Sequence, residues 1–354
     1  MSLKSKRSLF SLFAFIVILA LLATGCQPSQ PATPTAPASS TVPAATEPAV
    51  TEKIVIKFAH HMQLDQAIQG MAEEFAKDVA EKTNGAIEVQ VFGASQIGGL
   101  KDNTDAMRYG TLEMGLSDLG TIATIYPLAG IGGLPFLYRD YDHVDKVYDG
   151  PVGQKLTDEI AQAANIRILG FTHSGFRSII SKNKGVDSPE AAKNMKIRVP
   201  EIPMYLNTIK AFGANPTPIP LNEVYTSLQT GVVEGMECPN DILYTSKFYE
   251  VTDYICRSRH IYSDSVIAMS ETVYQKLTPE QQQIMQECVK DLVIKHRKAI
   301  VEMDDEYYNN LVAAGLQEVT PNTEAFLAAV KPVWDEFAAA QNAQELIDQI
   351  VNTK

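Results

Sequence analysis

The sequence predicts an α/β protein built as two lobes. Strands and helices alternate along the chain, starting with an apolar strand at residues 54–59, an amphipathic helix at 64–79 and a second strand at 87–92. Short joints between such elements produce a right-handed crossover and a mainly parallel sheet. The body after residue 52 has about 300 residues, a length that suggests two domains or lobes.

The same alternation continues to the end of the chain. In the first helix, apolar residues recur three or four positions apart, and Asn84-Gly85 supplies a C-terminal cap. Asn222 is predicted to be the N-cap of a helix that ends at Gln229. The other predicted helices cover 102–109, 141–148, 152–164 and 203–212, and the other predicted strands cover 113–117, 167–172, 178–181, 196–199, 215–218, 233–238 and 265–269.

The longest predicted helix begins at Thr278. Thr is a good N-cap, Pro279 suits the first helical position, and Gln281 completes a capping box. No Gly or Pro follows over roughly 35 residues, and a helix of that length spans ~50 Å. We expect it to lie across both lobes; a coiled-coil arm is the alternative. A last helix at 324–350 is predicted to kink near Pro332.

The N-terminus predicts export and a lipid anchor. Three basic residues precede an apolar run at residues 9–23, which has the length of a signal peptide and is too short for a comfortable membrane span. The run ends in Ala-Thr-Gly followed by Cys26. We interpret residues 1–25 as a lipoprotein signal peptide that is cut before a lipidated Cys26. An ordinary signal peptide with an incidental cysteine is the alternative.

Residues 26–52 are predicted to be the lipidated cysteine and a tether. Pro, Ala, Ser and Thr dominate this segment, so it has no apolar face and favours extended conformations. Removal of the signal peptide leaves 27 basic and 42 acidic residues, a formal charge of −15. So acidic a body argues against binding nucleic acid through broad electrostatics, although a pocket can be locally positive.

The sequence gives little support to an enzyme. It contains no P-loop, no Gly-x-Ser-x-Gly elbow, and no HExxH or CxxC motif. The adjacent His60 and His61 point to opposite faces in a strand, so they are poorly placed to share a metal ion. Cys238 is a candidate nucleophile, but the sequence marks no base beside it. We therefore predict no enzymatic activity, cofactor or metal, and leave open a disulfide between Cys238 and Cys256.

Several ordered segments resemble a known family. They are Lys-Ile-Arg-Val-Pro at 196–200, Gly-Ala-Asn-Pro-Thr-Pro-Ile-Pro at 213–220, Asn-Glu-Val-Tyr-Thr-Ser-Leu-Gln-Thr-Gly at 222–231, Val-Val-Glu-Gly-Met-Glu-Cys-Pro at 232–239, Lys-Phe-Tyr-Glu-Val at 247–251, and the stretches 93–98 and 134–139. From residue 54 onward the chain resembles the solute-binding subunit of tripartite ATP-independent periplasmic (TRAP) transporters, the DctP family. The resemblance implies a periplasmic-binding-protein-like (Venus flytrap) fold that closes over its ligand. Lobe I would comprise 53–174 plus 264–303, and lobe II 175–263 plus 304–354.

The resemblance also implies a function. The chain would capture a small carboxylate, such as a sugar acid or another hydroxylated organic acid, and deliver it to the membrane subunits of a TRAP transporter. It would work outside the cytoplasm, held to the cell membrane by its lipid. The alternatives are a ligand-presenting protein for a membrane sensor, an enzyme that depends on Cys238, and a receptor of the ABC type.

Two arginines match basic positions of the family. The resemblance assigns carboxylate binding to Arg198, in the Arg-Val-Pro segment. A guanidinium suits this role, because its planar fork of donors meets a carboxylate through two parallel hydrogen bonds. Arg198 also stands at the end of a predicted strand, where open α/β folds bind ligands. Arg177 matches a second basic position that could reinforce it. The alternatives are a structural salt bridge for Arg198 and a lobe-bracing role for Arg177.

The resemblance assigns the polar remainder of the ligand to other side chains. Cys238 stands where many relatives carry Asn or an aromatic residue, and a thiol neither donates like an amide nor stacks. Asp118 matches an acidic position of some relatives, with a helix N-cap as the alternative. Glu237 matches a residue that holds a metal ion in some relatives. The predicted contacts to the polar remainder are Asp118, Glu237, Cys238, His60, His61 and Gln63.

Overall fold

The computed structural model describes residues 53–354, which belong to one compact unit. The predicted signal peptide, Cys26 and the tether up to residue 52 lie outside the described residues. Within the described part of the chain, no helix combines the length and the apolar content needed to cross a membrane.

A mixed β-sheet runs through this unit. Its strands are β1 (Ile54–Ala59), β2 (Ile87–Phe92), β3 (Met114–Ser117), β4 (Ile166–Ser181), β5 (Lys196–Val199), β6 (Asn215–Pro218), β7 (Gly235–Pro239), β8 (Tyr254–Cys256), β9 (Tyr262–Ser270) and β10 (Gln317–Val319). The order along the sheet is β2-β1-β3-β9-β4-β7-β5-β6, with β8 and β10 paired beside β4. β1 lies parallel between β2 and β3, and β5 lies parallel between β6 and β7.

The long strand β4 joins the two parallel parts of the sheet. Its first part, up to Phe176, pairs antiparallel with β9, and its second part, from Arg177 to Ser181, pairs with β7 and β8. Two separate strands were predicted here, and the structure shows one continuous strand of 16 residues. Gly175, whose φ is 122°, sits at a register irregularity, and glycine accommodates that backbone without ending the strand.

The helices alternate with these strands, as the sequence predicts. They are α1 (Ala67–Lys82), α2 (Leu100–Tyr109), α3 (Leu119–Ile122), α4 (Tyr141–Tyr148), α5 (Pro151–Ala164), α6 (Pro189–Ala192), α7 (Pro203–Ala211), α8 (Val224–Gln229), α9 (Asn240–Thr245), α10 (Glu271–Tyr274), α11 (Pro279–Ala313), α12 (Thr323–Gln341) and α13 (Gln344–Asn352). Short 3₁₀ turns cover Pro127–Gly133, Leu221–Glu223 and Phe248–Val251.

The predicted long helix is confirmed. α11 has 35 residues and begins with the capping box of Thr278 and Gln281. It packs against α1, beside β1 and β2, and against α9, which follows β7. It also packs along β4, so one helix spans both parallel parts of the sheet.

Two predicted details are wrong. Asn222 does not cap a helix, because it lies inside the 3₁₀ turn Leu221–Glu223 and α8 starts after it. The C-terminal helix predicted at 324–350 is not continuous, because α12 ends at Gln341 and α13 begins at Gln344; Pro332 lies within α12 and is exposed, and the helix continues past it. On an exposed helix face, water can satisfy the carbonyl that proline leaves unpaired. The break comes instead at Asn342, whose φ of 49° is left-handed, a conformation that Asn tolerates at a helix end.

The apolar core covers both faces of the sheet. Consecutive residues of β9 alternate between two clusters: Val266 and Ala268 pack in one, Ile267 and Met269 in the other. Since successive strand residues point to opposite faces, each cluster corresponds to one face. A sheet covered on both faces leaves its strand ends as the place where polar side chains can gather.

Candidate functional site

A cavity of about 300 Å³ opens at the carboxyl ends of the parallel strands. The residues that follow β1, β2, β3, β5 and β6 line it, together with parts of β4, β7 and β9. Its size is at the lower end for small-ligand pockets, which span roughly 300–1,000 Å³. Its lining residues are His61, Met62, Ser95, Gly99, Leu100, Lys101, Asp102, Asp118, Thr121, Ser174, Arg177, Arg198, Pro200, Glu201, Ile202, Tyr205, Pro220, Leu221, Asn222, Cys238, Ile242, Ser263, Asp264 and Ser265.

Arg198 lines this cavity from β5. Its side chain is 3% exposed, and its Nε donates to the backbone carbonyl of Ile219 at 2.8 Å. Among the described residues, no carboxylate forms an ion pair with it and nothing accepts a hydrogen bond from its terminal nitrogens. Burial lowers the pKa of Arg198 to about 10, and the charge of Arg177 acts in the same direction. Arg198 therefore stays cationic at neutral pH without a neutralising partner.

Arg177 lines the same cavity but is already paired. Its Nε and Nη2 both donate to the carboxylate of Glu237, the Nη2 at 2.9 Å, and its Nη1 donates to Ser263 Oγ at 2.7 Å. The guanidinium also lies 4.8 Å from the ring centre of Tyr205. These contacts hold the Arg177 side chain in the cavity wall, which agrees with the alternative of a lobe-bracing role. Arg177 still lines the cavity.

Glu237 lies behind Arg177 and is not part of the cavity lining. It is fully buried, and its carboxylate is 3.4 Å from Nε2 of His260. Burial alone would raise the pKa of Glu237, but Arg177 and His260 bring that pKa below its usual value. Glu237 is thus a buried carboxylate whose contacts position Arg177.

Two carboxyl groups line the cavity at the first turn of α3. Asp118 is the N-cap of that helix, and its Oδ1 accepts from the Thr121 N–H at 2.5 Å. Oδ1 of Asp264, in β9, accepts from the Leu119 N–H at 2.7 Å. Burial raises the pKa of Asp264 to about 8, and the neighbouring Asp118 adds to that rise. The N-cap role that was the alternative for Asp118 therefore coexists with a position on the cavity wall.

Two further predicted residues line the cavity as neutral groups. Burial raises the pKa of the Cys238 thiol to about 11, so the thiol stays protonated at neutral pH. Burial, followed by the charges of His60 and Arg198, lowers the pKa of His61 to about 4. Cys238 and Cys256 are both free and buried, so no disulfide joins them.

His60 and Gln63 do not line the cavity. His60 is fully buried, and its Nε2 shares a hydrogen bond of 2.9 Å with Gln69 of α1. Gln63 is exposed. The split between His60 and His61 follows from the chain leaving β1 in extended form, which turns adjacent side chains to opposite sides.

Sequence reasoning missed Asp264, Ser263 and Tyr205. The hydroxyl of Tyr205 is 3.0 Å from Ser263 Oγ, so both belong to the contacts that hold Arg177. A signal was available: the polar run Ser263-Asp264-Ser265 stands at the start of the predicted strand 265–269, whose other residues are apolar. Within residues 53–354, no group of three or more His, Cys, Asp or Glu side chains is placed to hold a metal ion.

We predict that the two arginines differ in their effect on stability. Arg177→Met should lower the free energy of unfolding by about 3–5 kcal/mol, because it leaves Glu237 buried without its partner. Arg198→Met should change it by less than about 1 kcal/mol, because the lost hydrogen bond to Ile219 is offset by removal of an unpaired buried charge. Urea unfolding of the ligand-free protein at pH 7 measures both. Equal losses in the two variants would contradict this picture of the site.

Comparisons with known proteins agree with this architecture. A model of the family described as "Bacterial extracellular solute-binding protein, family 7" matches residues 58–341. The sialic acid-binding periplasmic protein SiaP of Vibrio cholerae is 29% identical, over 85% of this chain and 91% of that protein.

Solved structures extend the likeness to the fold. A TRAP periplasmic solute-binding protein of Haemophilus influenzae with bound L-gulonate has a TM-score of 0.82 and 26% identity, covering 85% of this chain and 100% of that one. One from Chromohalobacter salexigens with bound D-glucuronate has a TM-score of 0.81 and 26% identity, covering 84% and 100%. The predictions of a two-lobed α/β fold and of a binding protein rather than an enzyme are confirmed. The chain belongs to family 7 of the bacterial extracellular solute-binding proteins and is a TRAP transporter solute-binding protein.

Proposed function

We propose that this protein captures a sugar acid or a similar hydroxylated organic acid, whose carboxylate pairs with Arg198 as the lobes close. The observation that carries the proposal is a buried guanidinium that faces a cavity and has no acidic partner among the described residues. A buried charge without a partner is unfavourable. A ligand carboxylate would neutralise it and accept two parallel hydrogen bonds.

The ligand-free state of the site favours such a ligand. The pKa of Arg198 is below its ordinary value because burial penalises the charge, and a bound carboxylate would reverse that penalty. Arg177 adds positive charge to the same wall, but Glu237 already compensates it. Among the described residues that line it, the cavity thus offers one positive charge without an acidic partner, and this fits a ligand with one carboxylate.

The rest of the wall suits hydroxyl groups. It carries hydrogen-bond acceptors in the carboxyl groups of Asp118 and Asp264, and groups that both donate and accept in the hydroxyls of Ser263 and Tyr205. The three relatives described above are named for binding sialic acid or were solved with bound L-gulonate or D-glucuronate. These ligands combine one carboxylate with several hydroxyls, which supports the same class for this chain.

Delivery would use lobe closure and the membrane subunits of a TRAP transporter. The proposed boundary between lobe I (53–174 plus 264–303) and lobe II (175–263 plus 304–354) is supported by β4, which changes partner from β9 to β7 after Phe176. A ligand bound between the two lobes would hold them closed, and the transporter would then recognise the closed form.

A lipid anchor on Cys26 would keep the protein at the membrane surface. The signal-peptide pattern before Cys26 and the Pro-rich segment after it support this proposal. Cells fed a clickable palmitate analogue should label the wild-type chain and fail to label Cys26→Ser. Equal labelling of the two would contradict the anchor.

The ligand class is tested by thermal shift followed by calorimetry. L-gulonate, D-glucuronate or both should raise the melting temperature, while D-glucose, which has no carboxylate, should not. Arg198→Ala should weaken binding of the acid at least about 100-fold, since it removes a buried charge-assisted pair. Arg108→Ala, which changes an arginine outside the cavity lining, is the matched control and should bind normally. Binding of glucose comparable to that of the acids, or unchanged affinity in Arg198→Ala, would overturn the proposal.

A further inference from the structure

We propose that Gly120 and Gly133 form a closure seat on lobe I, which receives Ile202 and Tyr205 of lobe II when the lobes close over a ligand. The inference rests on the proposed function and deepens it, because it names a contact between the lobes that keeps the ligand-bound form closed. Neither glycine lines the cavity. Both are therefore positioning residues, which act on capture through lobe II and not by touching the ligand.

The seat brings together two segments that are distant in sequence. Gly120 lies within α3, and Gly133 is the last residue of the 3₁₀ turn Pro127–Gly133. Opposite them is the start of α7, where Ile202 is the N-cap. In the proposed division of the chain, α3 and the 3₁₀ turn belong to lobe I and α7 belongs to lobe II. The contact between them is present in the structure, so its fit can be measured.

The fit leaves no room for a side chain on either glycine. A Cβ atom placed on Gly120 would lie 2.8 Å from Cγ2 and 3.1 Å from Cδ1 of Ile202. A Cβ atom placed on Gly133 would lie 3.0 Å from Cε1 of Tyr205. Non-bonded carbon atoms pack best about 3.5–4.0 Å apart, so both contacts would be too close.

Backbone conformation does not explain these glycines. Neither Gly120 nor Gly133 has the left-handed φ that favours glycine. Within a helix such as α3, alanine is a better helix former than glycine. The close approach of α7 is the feature that excludes a side chain from both positions.

The side of the seat that carries Gly120 is rigid. The first turn of α3 is held by two hydrogen bonds, from the Thr121 N–H to Asp118 Oδ1 at 2.5 Å and from the Leu119 N–H to Asp264 Oδ1 at 2.7 Å. Gly120 lies between the two residues that donate these bonds. It cannot move away from Ile202 without straining one of them.

The opposing side is rigid as well. Ile202 is 2% exposed, and its N–H donates to the carbonyl of Pro200 at 2.7 Å. Pro203 follows it and restricts its backbone to extended angles, in agreement with its φ of −115° and ψ of 117°. Its β-branched side chain has few accessible rotamers. A methyl group added to Gly120 would therefore be accommodated by separation of the two lobes.

The seat is connected to the ligand cavity through α7. Ile202 and Tyr205 both line the cavity. The ring of Tyr205 lies 4.8 Å from the Arg177 guanidinium, and its hydroxyl is 3.0 Å from Ser263 Oγ. Seating α7 therefore closes the cavity beside α3 and places Tyr205 against Arg177.

The test adds one methyl group to the seat and measures capture. Calorimetry would use whichever of L-gulonate and D-glucuronate the wild-type protein binds more tightly. Gly120→Ala and Gly133→Ala should each weaken binding at least about tenfold, because overpacking of the seat opposes closure. At saturating ligand, X-ray scattering should give both variants a larger radius of gyration than the wild type. Gly70→Ala is the matched control and should bind normally, since Gly70 lies in α1 with open space around an added Cβ atom.

A double-mutant cycle assigns the effect to the contact itself. In a background of Ile202→Ala, which shortens the opposing side chain, Gly120→Ala should weaken binding by less than about threefold. An equal loss in both backgrounds, or an equal loss in Gly70→Ala, would overturn the inference.

The remaining outcomes separate this inference from the proposed function. Wild-type affinity or an unchanged radius of gyration in either folded seat variant overturns the inference and leaves the proposed function intact. Failure of both seat variants to fold also overturns it, because a contact between lobes is not required for each lobe to fold. Failure of both sugar acids to bind the wild type overturns the proposed function, and this inference with it.

Discussion

The structure depends on one imbalance of charge at the cavity. Arg198 is buried in β5, and the only hydrogen bond from its side chain to a described residue goes to the carbonyl of Ile219, which carries no formal charge. Most buried arginines are held by an acid, and Arg177 beside it is held in that way by Glu237. The chain thus places two guanidinium groups in one wall and neutralises one of them. This arrangement favours ligand binding, because the carboxylate of the ligand supplies the negative charge that the protein itself does not place beside Arg198.

The fold makes this arrangement possible through its two-part sheet. Arg198 is on β5, Arg177 is on β4, and Asp264 is on β9, so three neighbouring regions of one sheet each contribute a charged group. The backbone N–H groups of α3 orient Asp118 and Asp264, and Tyr205 and Ser263 hold Arg177. The wall is therefore fixed by its own hydrogen bonds before a ligand arrives, which limits the ordering cost of binding.

Much of the fold could be predicted from local patterns. β1, β2, β5 and β6 and the capped start of α11 were predicted correctly because strand alternation and the capping box are local signals. The continuity of β4 through Gly175 was not, since it depends on pairing with neighbouring strands. The break of the C-terminal helix at Asn342 was not predicted either. Within the site, resemblance pointed to Arg198, Arg177, Asp118, Cys238 and His61, which do line the cavity. It could not separate these from Glu237, His60 and Gln63, whose orientation only the packed structure reveals. Asp264 was missed because its proximity to Asp118 depends on the antiparallel pairing of β3 with β9.

The most direct test removes the charge from the ligand instead of the protein. The ligand is whichever of L-gulonate and D-glucuronate binds more tightly. Calorimetry would measure the affinity of this acid and of its carboxamide, in the wild-type protein and in Arg198→Ala. If the carboxylate pairs with Arg198, the wild type should prefer the acid over the amide at least about 100-fold, and the variant should bind both within about threefold. A preference for the acid that persists undiminished in Arg198→Ala, or an amide that binds the wild type as tightly as the acid, would contradict the account.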